Sequence, residues 1–415
     1  MRVAWIAFGI AATFFLFEFV TRVEPSLAAN SIADFYGLTN RDFGTLASLF
    51  FWVYAPMQIV VGLLLDRYGA KRLILLGNFT CAAGVLIFAA TDSVLVGGLG
   101  RALTGFGASF AFVAALWLAN HWFPPGRFAL LSGAINAIGM LGTAVGAVAL
   151  SHFIARTGWH AAFVATGVVG FATFLASVLF LHEPASHIAT ATIGAVEHFR
   201  QSLAEVAGHG RTWTLGIIGM LYYMPVDVYA GLWGTTELMK DHHLSPVEAQ
   251  TAVSMIYWGT AVGSIAGGWL SDTLGHRKYL MFLGAALTGL AYAGVLYLPG
   301  TMVTVSALLF AAGFFGGLQM LAFAMAKEGL PNRLVGTVVA FVNMIGIAGA
   351  LVFQPLVGYL ADIGGGDFHG ALVSMPICTG LAAFIVLLLP EYRHPEHHPD
   401  AASPQQRAEA AVAAA

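Results

Sequence analysis

WVYAPMQIVVGLLLDRYGAKR, residues 52–72, returns as WGTAVGSIAGGWLSDTLGHRK, residues 258–278. Trp52 matches Trp258, Gly62 matches Gly268, Asp66 matches Asp272, Gly69 matches Gly275, and Lys71-Arg72 matches Arg277-Lys278, all offset by 206. Further on, NAIGMLG at 136–142 matches NMIGIAG at 343–349, offset by 207. The chain thus reads as two homologous halves. In a membrane protein such halves mark a secondary transporter, with its solute held near mid-bilayer between them.

Composition puts the chain in a membrane. Of its 415 residues, 58% are hydrophobic and only 9% charged, where soluble domains carry about 25% charged residues. A net charge of -3 gives no reason to expect a nucleic-acid partner. Cys81 and Cys378 both lie in apolar runs, which argues against a disulfide framework and a zinc site. The first twenty residues have the look of a signal peptide, but the apolar pattern recurs to the end of the chain, so the first run is read as a span.

A spanning helix needs about 20 apolar residues. Such runs number twelve, near 4–31, 42–65, 72–91, 95–121, 127–153, 160–182, 212–239, 247–271, 278–298, 302–326, 334–361 and 369–390. The expected fold is an all-α membrane protein: twelve transmembrane helices in two pseudo-symmetric six-helix halves, 1–182 and 211–390. Between them, 183–210 carries Ile193, Val196, Phe199, Leu203 and Val206 at helical spacing, the pattern of an amphipathic helix along the inner membrane surface. The tail 391–415, rich in Pro, His, Ala and Gln, reads as disordered. With the N-terminus inside, thirteen Lys and Arg are cytoplasmic and three (Arg41, Arg156, Lys240) are external. That bias predicts both termini in the cytoplasm, in an inner (plasma) membrane protein.

GLLLDRYGAKR at 62–72 closely resembles the loop motif of the major facilitator superfamily, and its weaker copy after span 8 fits the same pattern. RALTGFG at 101–107 resembles that superfamily's span-4 motif, and GWHAAF at 158–163 its span-6 start, with His160 where an arginine is common. The span-5 proline frequent in its drug antiporters is absent. An arginine within span 1, followed by SLAANSIADFYGLT and a span 2 ending YAPMQIVVGLLLD, is similar to the organic-anion branches, the anion:cation symporters and organophosphate antiporters. The resemblance implies that Arg22 and Arg101 face a central cavity. In span 7 the organophosphate antiporters place a second cavity arginine where this chain has Asp227, which points away from a phosphate ester.

FEFVTRVEPSL, residues 17–27, puts Glu18, Arg22 and Glu24 into the first span. Each charge costs roughly 2.5–3.5 kcal/mol at bilayer depth. Glu18 and Arg22 share a helix face at i, i+4, while Glu24 points about 200° away from Arg22. Pro25 can bend the helix there. A face lining a water-filled cavity explains the charges: Arg22 is the anchor for an anion, because a guanidinium binds a carboxylate bidentately. The competing reading is a Glu18–Arg22 pair that locks span 1 to its neighbours. Asp227 sits in nearly the equivalent place of the second half, with Pro225 beside it. A lone carboxylate in a low-dielectric cavity can load and release a proton near neutral pH, so Glu18, Glu24 and Asp227 are the proton-coupling candidates; Asp227 could instead simply pair with an arginine.

The substrate-binding set expected around Arg22 is Arg101, Tyr54, Gln58, Tyr223, Tyr257, Trp258 and Asn343. For Arg101 the competing reading is a structural tie within its half, for the aromatics core packing, and for Asn343 repeat structure shared with Asn136. Gly62, Asp66, Arg67, Gly69, Lys71, Arg72, Asp272 and Arg277 are assigned to gating, Gly62 through close helix approach and Gly69 through a tight turn. The histidines of HPEHHPD, His394, His397 and His398, and the pair His242-His243 could ligate a transition metal weakly, but solvated surface is the default, and no metal site or cofactor is expected.

These readings converge on a monomeric secondary transporter for a small organic anion or zwitterion. It is expected to work by alternating access as a symporter driven by H⁺, with Na⁺ the other possible ion. Proton-coupled efflux of a cationic or amphipathic compound is the alternative. No nucleophile–base pair or phosphate-binding loop suggests an enzyme, and no soluble domain suggests a sensor.

Overall fold

A computed structural model describes residues 2–123, 128–183, 195–274, 276–298, 300–328, 330–331 and 334–390. Eleven helices in it are long and apolar enough to cross a membrane. Six belong to the first half: span 1 (Arg2–Tyr36), span 2 (Asn40–Leu65), span 3 (Ala70–Ala90), span 4 (Val94–Trp122), span 5 (Ala134–Thr157) and span 6 (Trp159–Phe180). Five belong to the second: span 7 (Gly210–Asp241), span 9 (Arg277–Tyr297), span 10 (Met302–Ala326), span 11 (Gly336–Ile363) and span 12 (Phe368–Leu388). The helix Pro246–Leu274 stands in the eighth place. Its Thr, Ser and Gly content makes it less apolar than the others, yet at 29 residues it is long enough to span. The twelve-helix architecture expected from the repeat is present.

The repeat shows in where the helices break. Span 1 tightens to a 3₁₀ turn over Glu24–Ala28, and span 7 widens to a π-helix over Pro225–Trp233. Span 4 is interrupted between Ala108 and Ala111, and span 10 over Gly317–Met320. Spans 1 and 7, and spans 4 and 10, are equivalent in the two halves. Irregular backbone at membrane depth is tolerated where it is buried in protein or lines a cavity, so these four breaks point to one central region.

The halves meet through spans 2 and 11 and through spans 5 and 8. At the end opposite the N-terminus, spans 2 and 11 touch backbone to backbone. A Cβ on Gly44 would collide with the Gln354 carbonyl, and one on Gly358 with the Asn40 carbonyl. Gly62, assigned to close approach, does not have that role among the described residues: none of them lies within 4 Å of its would-be Cβ. Gly69 does make the tight turn after span 2, at φ +79°.

The helix Ala195–Ala207 occupies the described part of the connector, and residues 184–194 and 391–415 lie outside the described residues. Val206 and Ser202 are buried, Glu197 and Arg200 exposed. Its buried side packs on span 11, and Trp213 at the start of span 7 donates to its last carbonyl, Ala207 O, at 2.8 Å.

Candidate functional site

Arg22 is 6% exposed and sits where the halves meet. Its Nη2 and Nε both donate to Glu18 Oε1, at 2.7 and 3.2 Å. Its Nη1 lies 3.8 Å from Asp227 Oδ1 in the other half. One cation is thus bracketed by two carboxylates, one from each half. The guanidinium lies 4.5 Å from the Phe19 ring and 4.9 Å from the Tyr54 ring, with Phe50 and Phe51 each at 5.9 Å. Aromatic faces attract a guanidinium and limit its freedom. Glu18 Oε2 and Asp227 Oδ2 are buried with no hydrogen-bond partner among the described residues.

Span 7 brings Asp227 here through its π-helix, which turns the backbone without ending the helix. Gln354 of span 11 donates to the Asp227 carbonyl at 2.9 Å, and Trp233 Nε1 donates to the Gln354 carbonyl at 2.9 Å. Tyr223, Tyr257 and Tyr54 are close enough to interact electrostatically with Arg22 or Asp227. The buried Tyr257 hydroxyl has no hydrogen-bond partner among the described residues. Gln58 and Asn343 meet across the halves at 3.4 Å.

Two expected members stand apart. Trp258 follows the inward-facing Tyr257 but is itself 37% exposed. A helix turns about 100° per residue, which carries Trp258 off that face. Arg101 is buried among backbone carbonyls. It donates to Thr21 O at 2.9 Å, to Arg22 O at 3.4 Å and to Ala47 O at 3.5 Å. In an α-helix Thr21 O would accept from the N–H of residue 25, and Pro25 has none. Arg101 fills that vacancy and ties spans 1, 2 and 4 together, in place of the expected substrate contact. Glu24, fully inside the first half, sits against Thr166 within reach of the Arg101 charge.

Far from the N-terminus the interface is sealed by an interaction that sequence reading missed. Asp362 at the end of span 11 accepts from the Asn40 and Arg41 backbone N–H groups at 3.1 and 2.8 Å, and from Asn40 Nδ2 at 2.8 Å. A span-11 carboxylate therefore caps span 2 across the halves. Phe43 and Trp233 meet edge-to-face beneath it, ring centres 5.7 Å apart.

On the opposite side the gating candidates behave unequally. The Lys71 N–H donates to Glu183 at 3.4 Å, and Glu183 also fills the space beside Gly69. Arg67 lies over the Tyr68 ring at 5.3 Å, and Arg72 is exposed. Arg277 and Arg211 both bind Glu328, at 2.9 and 3.1 Å. The side chains of Asp66 and Asp272 lie outside the described residues, as does Gly275.

Two six-helix halves around a buried charge cluster, with broken helices at its edges, define the secondary-transporter class. The chain belongs to the Major Facilitator Superfamily, whose sequence profile matches residues 5–224 and 215–413. It is an integral membrane protein of a family of transporters, not enzymes. It is similar to the probable sulfoacetate transporter SauU of Cupriavidus necator, 25% identical over 85% of this chain and 86% of that protein. It is likewise similar to the membrane sensor protein UhpC of Salmonella typhimurium, 25% identical over 91% and 88% of the two chains. Among solved structures, a bacterial homologue of the human lysosomal transporter Spinster shares the fold, with a TM-score of 0.73 and 16% identity over 93% of this chain and 95% of that one.

Proposed function

We propose that the protein is a proton-coupled symporter of a small organic anion bearing a carboxylate or sulfonate, working by alternating access. The observation that carries this is Arg22 held between Glu18 and Asp227 from opposite halves. The Glu18 bond is short and doubled, so Glu18 positions the guanidinium. The Asp227 contact is long, and its second oxygen is unpartnered. A proton taken up by Asp227 removes the charge that competes with substrate for Arg22 Nη1. The anion then docks on that edge, with the unpartnered Tyr257 hydroxyl beside it as a donor. Proton and monoanion enter together, so the net charge of the cluster is unchanged. Glu24, remote from Arg22, remains a second carboxylate for proton passage through the first half.

Similarity to a probable sulfoacetate transporter supports an anionic solute. A cationic solute would have to be drawn to a cluster whose centre is an arginine. Similarity to a membrane sensor favours a second reading, in which the same site binds its anion without moving it. Proteoliposomes enclosing a pH-sensitive dye, challenged with monocarboxylates, dicarboxylates, sulfonates, amino acids, phosphate esters and organic cations, test the reading. Acidification driven by a carboxylate or sulfonate and lost in Arg22→Ala supports it. Binding without flux moves the protein to the sensors, and a response only to cations overturns the anion site.

A further inference from the structure

Span 7 ends in a buried carboxylate that the transport site does not use. Glu237 is 0% exposed. Its Oε2 accepts from the Tyr229 hydroxyl at 2.8 Å, while its Oε1 is buried with no hydrogen-bond partner among the described residues and lies 3.7 Å from His242 Nε2. One donor atom each from Glu237, Asp241 and His369 fall within 4.8 Å of one another. Glu237 and Asp241 lie on the helix Gly234–Asp241 that closes span 7, and His369 on the short helix Phe368–Leu372 that opens span 12. Glu237 is ten residues beyond Asp227, about 15 Å along the helix. The cluster is therefore separate from the Arg22 site and stands whatever the solute is.

Glu237 has one oxygen held by Tyr229 and one unpaired among the described residues, and a cation at that second oxygen would offset the cost of burying its charge, several kcal/mol. The one lysine nearby, Lys240, has its Nζ over the Phe368 ring at 4.6 Å. Two carboxylates with one imidazole nitrogen beside them balance one divalent cation. Imidazole nitrogen with carboxylate oxygen suits zinc and its neighbours better than calcium or magnesium, which prefer oxygen alone. Tetrahedral zinc with bonds near 2.0–2.1 Å holds its ligand atoms about 3.3 Å apart. Asp241 is exposed and His369 partly so, leaving both free to draw in by the remaining distance. Tyr229 then orients the Glu237 carboxylate from behind, as groups hydrogen-bonded to metal ligands do.

We propose that Glu237, Asp241 and His369 form a site for a divalent transition-metal ion that ties the outer end of span 7 to the start of span 12, with His242 at its edge. The full-length protein without a histidine tag, stripped with chelator, would be titrated with Zn²⁺ and, separately, with Co²⁺ followed by absorption. The expected result is one Zn²⁺ per chain, displacing Co²⁺ from a tetrahedral nitrogen–oxygen environment, while Mg²⁺ and Ca²⁺ fail to compete. His369→Ala and Asp241→Asn each weaken binding at least tenfold and leave anion-driven flux intact. Because Glu237 is buried in the fold, the two more exposed positions, Asp241 and His369, carry the test, with thermal melts as the folding control. The proposal is overturned if no Zn²⁺ is retained through dialysis. It is equally overturned if affinity is unchanged in both variants, including the case where it is lost only on replacing His394, His397 and His398 by Ala.

Discussion

The Arg22 guanidinium stands 3.8 Å from the Asp227 carboxylate, across the interface of two halves whose spans 1 and 7 are broken at equivalent places. Each partner belongs to a different half, so the contact bridges the interface between them. Removing one charge of a buried pair is costly, about 3–5 kcal/mol, because the other is stranded.

Arg22→Lys keeps a positive charge but loses the planar fork that can hold Glu18 and a substrate carboxylate at once. The expected outcome is a folded protein whose anion uptake falls at least tenfold, equivalent to about 1.4 kcal/mol. Uptake of the anion found in the proteoliposome screen measures it.

Asp227→Asn removes the proposed proton acceptor and keeps the shape. Exchange of labelled for unlabelled anion across the membrane is expected to continue, while uphill accumulation driven by a pH gradient disappears. Retained accumulation would move the coupling proton elsewhere, with Glu24 the next candidate.

Arg101 separates the structural role from the binding role. Replacing it with Lys loses the bond to the Thr21 carbonyl that Pro25 cannot satisfy, an unpaired buried acceptor worth about 1–3 kcal/mol. The melting temperature in detergent should fall, while anion affinity stays within about threefold, under 1 kcal/mol. A large loss of affinity in a stable variant would return Arg101 to the substrate set.

Asp362→Ala removes the cap that span 11 places on span 2. Losing a helix N-cap costs about 0.5–2 kcal/mol, enough to shift a two-state equilibrium roughly 2- to 30-fold. Spin labels at the exposed positions Asp42 and Ile363 should report a longer, broader distance in the variant as the sealed end opens. An unchanged distance would mean that the Phe43–Trp233 contact holds this end alone.

The repeat at 52–72 and 258–278 was enough to read two halves, because helix length and charge placement obey the bilayer locally. Arg22, Glu18 and Asp227 were legible for the same reason: a charge inside an apolar run is conspicuous. What escaped reading depended on distance along the chain. Asp362 looks like an ordinary last-turn carboxylate, and its partner is 322 residues away. Glu328 gathers Arg211 and Arg277 from the first turns of spans 7 and 9. Arg101 reads as a cavity charge until Pro25 is seen to leave a carbonyl for it. Trp258 matched Trp52 in the repeat, but the repeat says nothing about which way a helix is rotated.

The central claim is that one proton replaces Arg22 as the partner of Asp227 when an anion binds. Proton uptake on binding tests it directly. The purified protein, weakly buffered with an indicator dye, would receive the anion identified by flux. The account predicts uptake of close to one proton per anion bound in the native protein and none in Asp227→Asn. Anion binding with no proton uptake, or uptake that survives in Asp227→Asn, would contradict it.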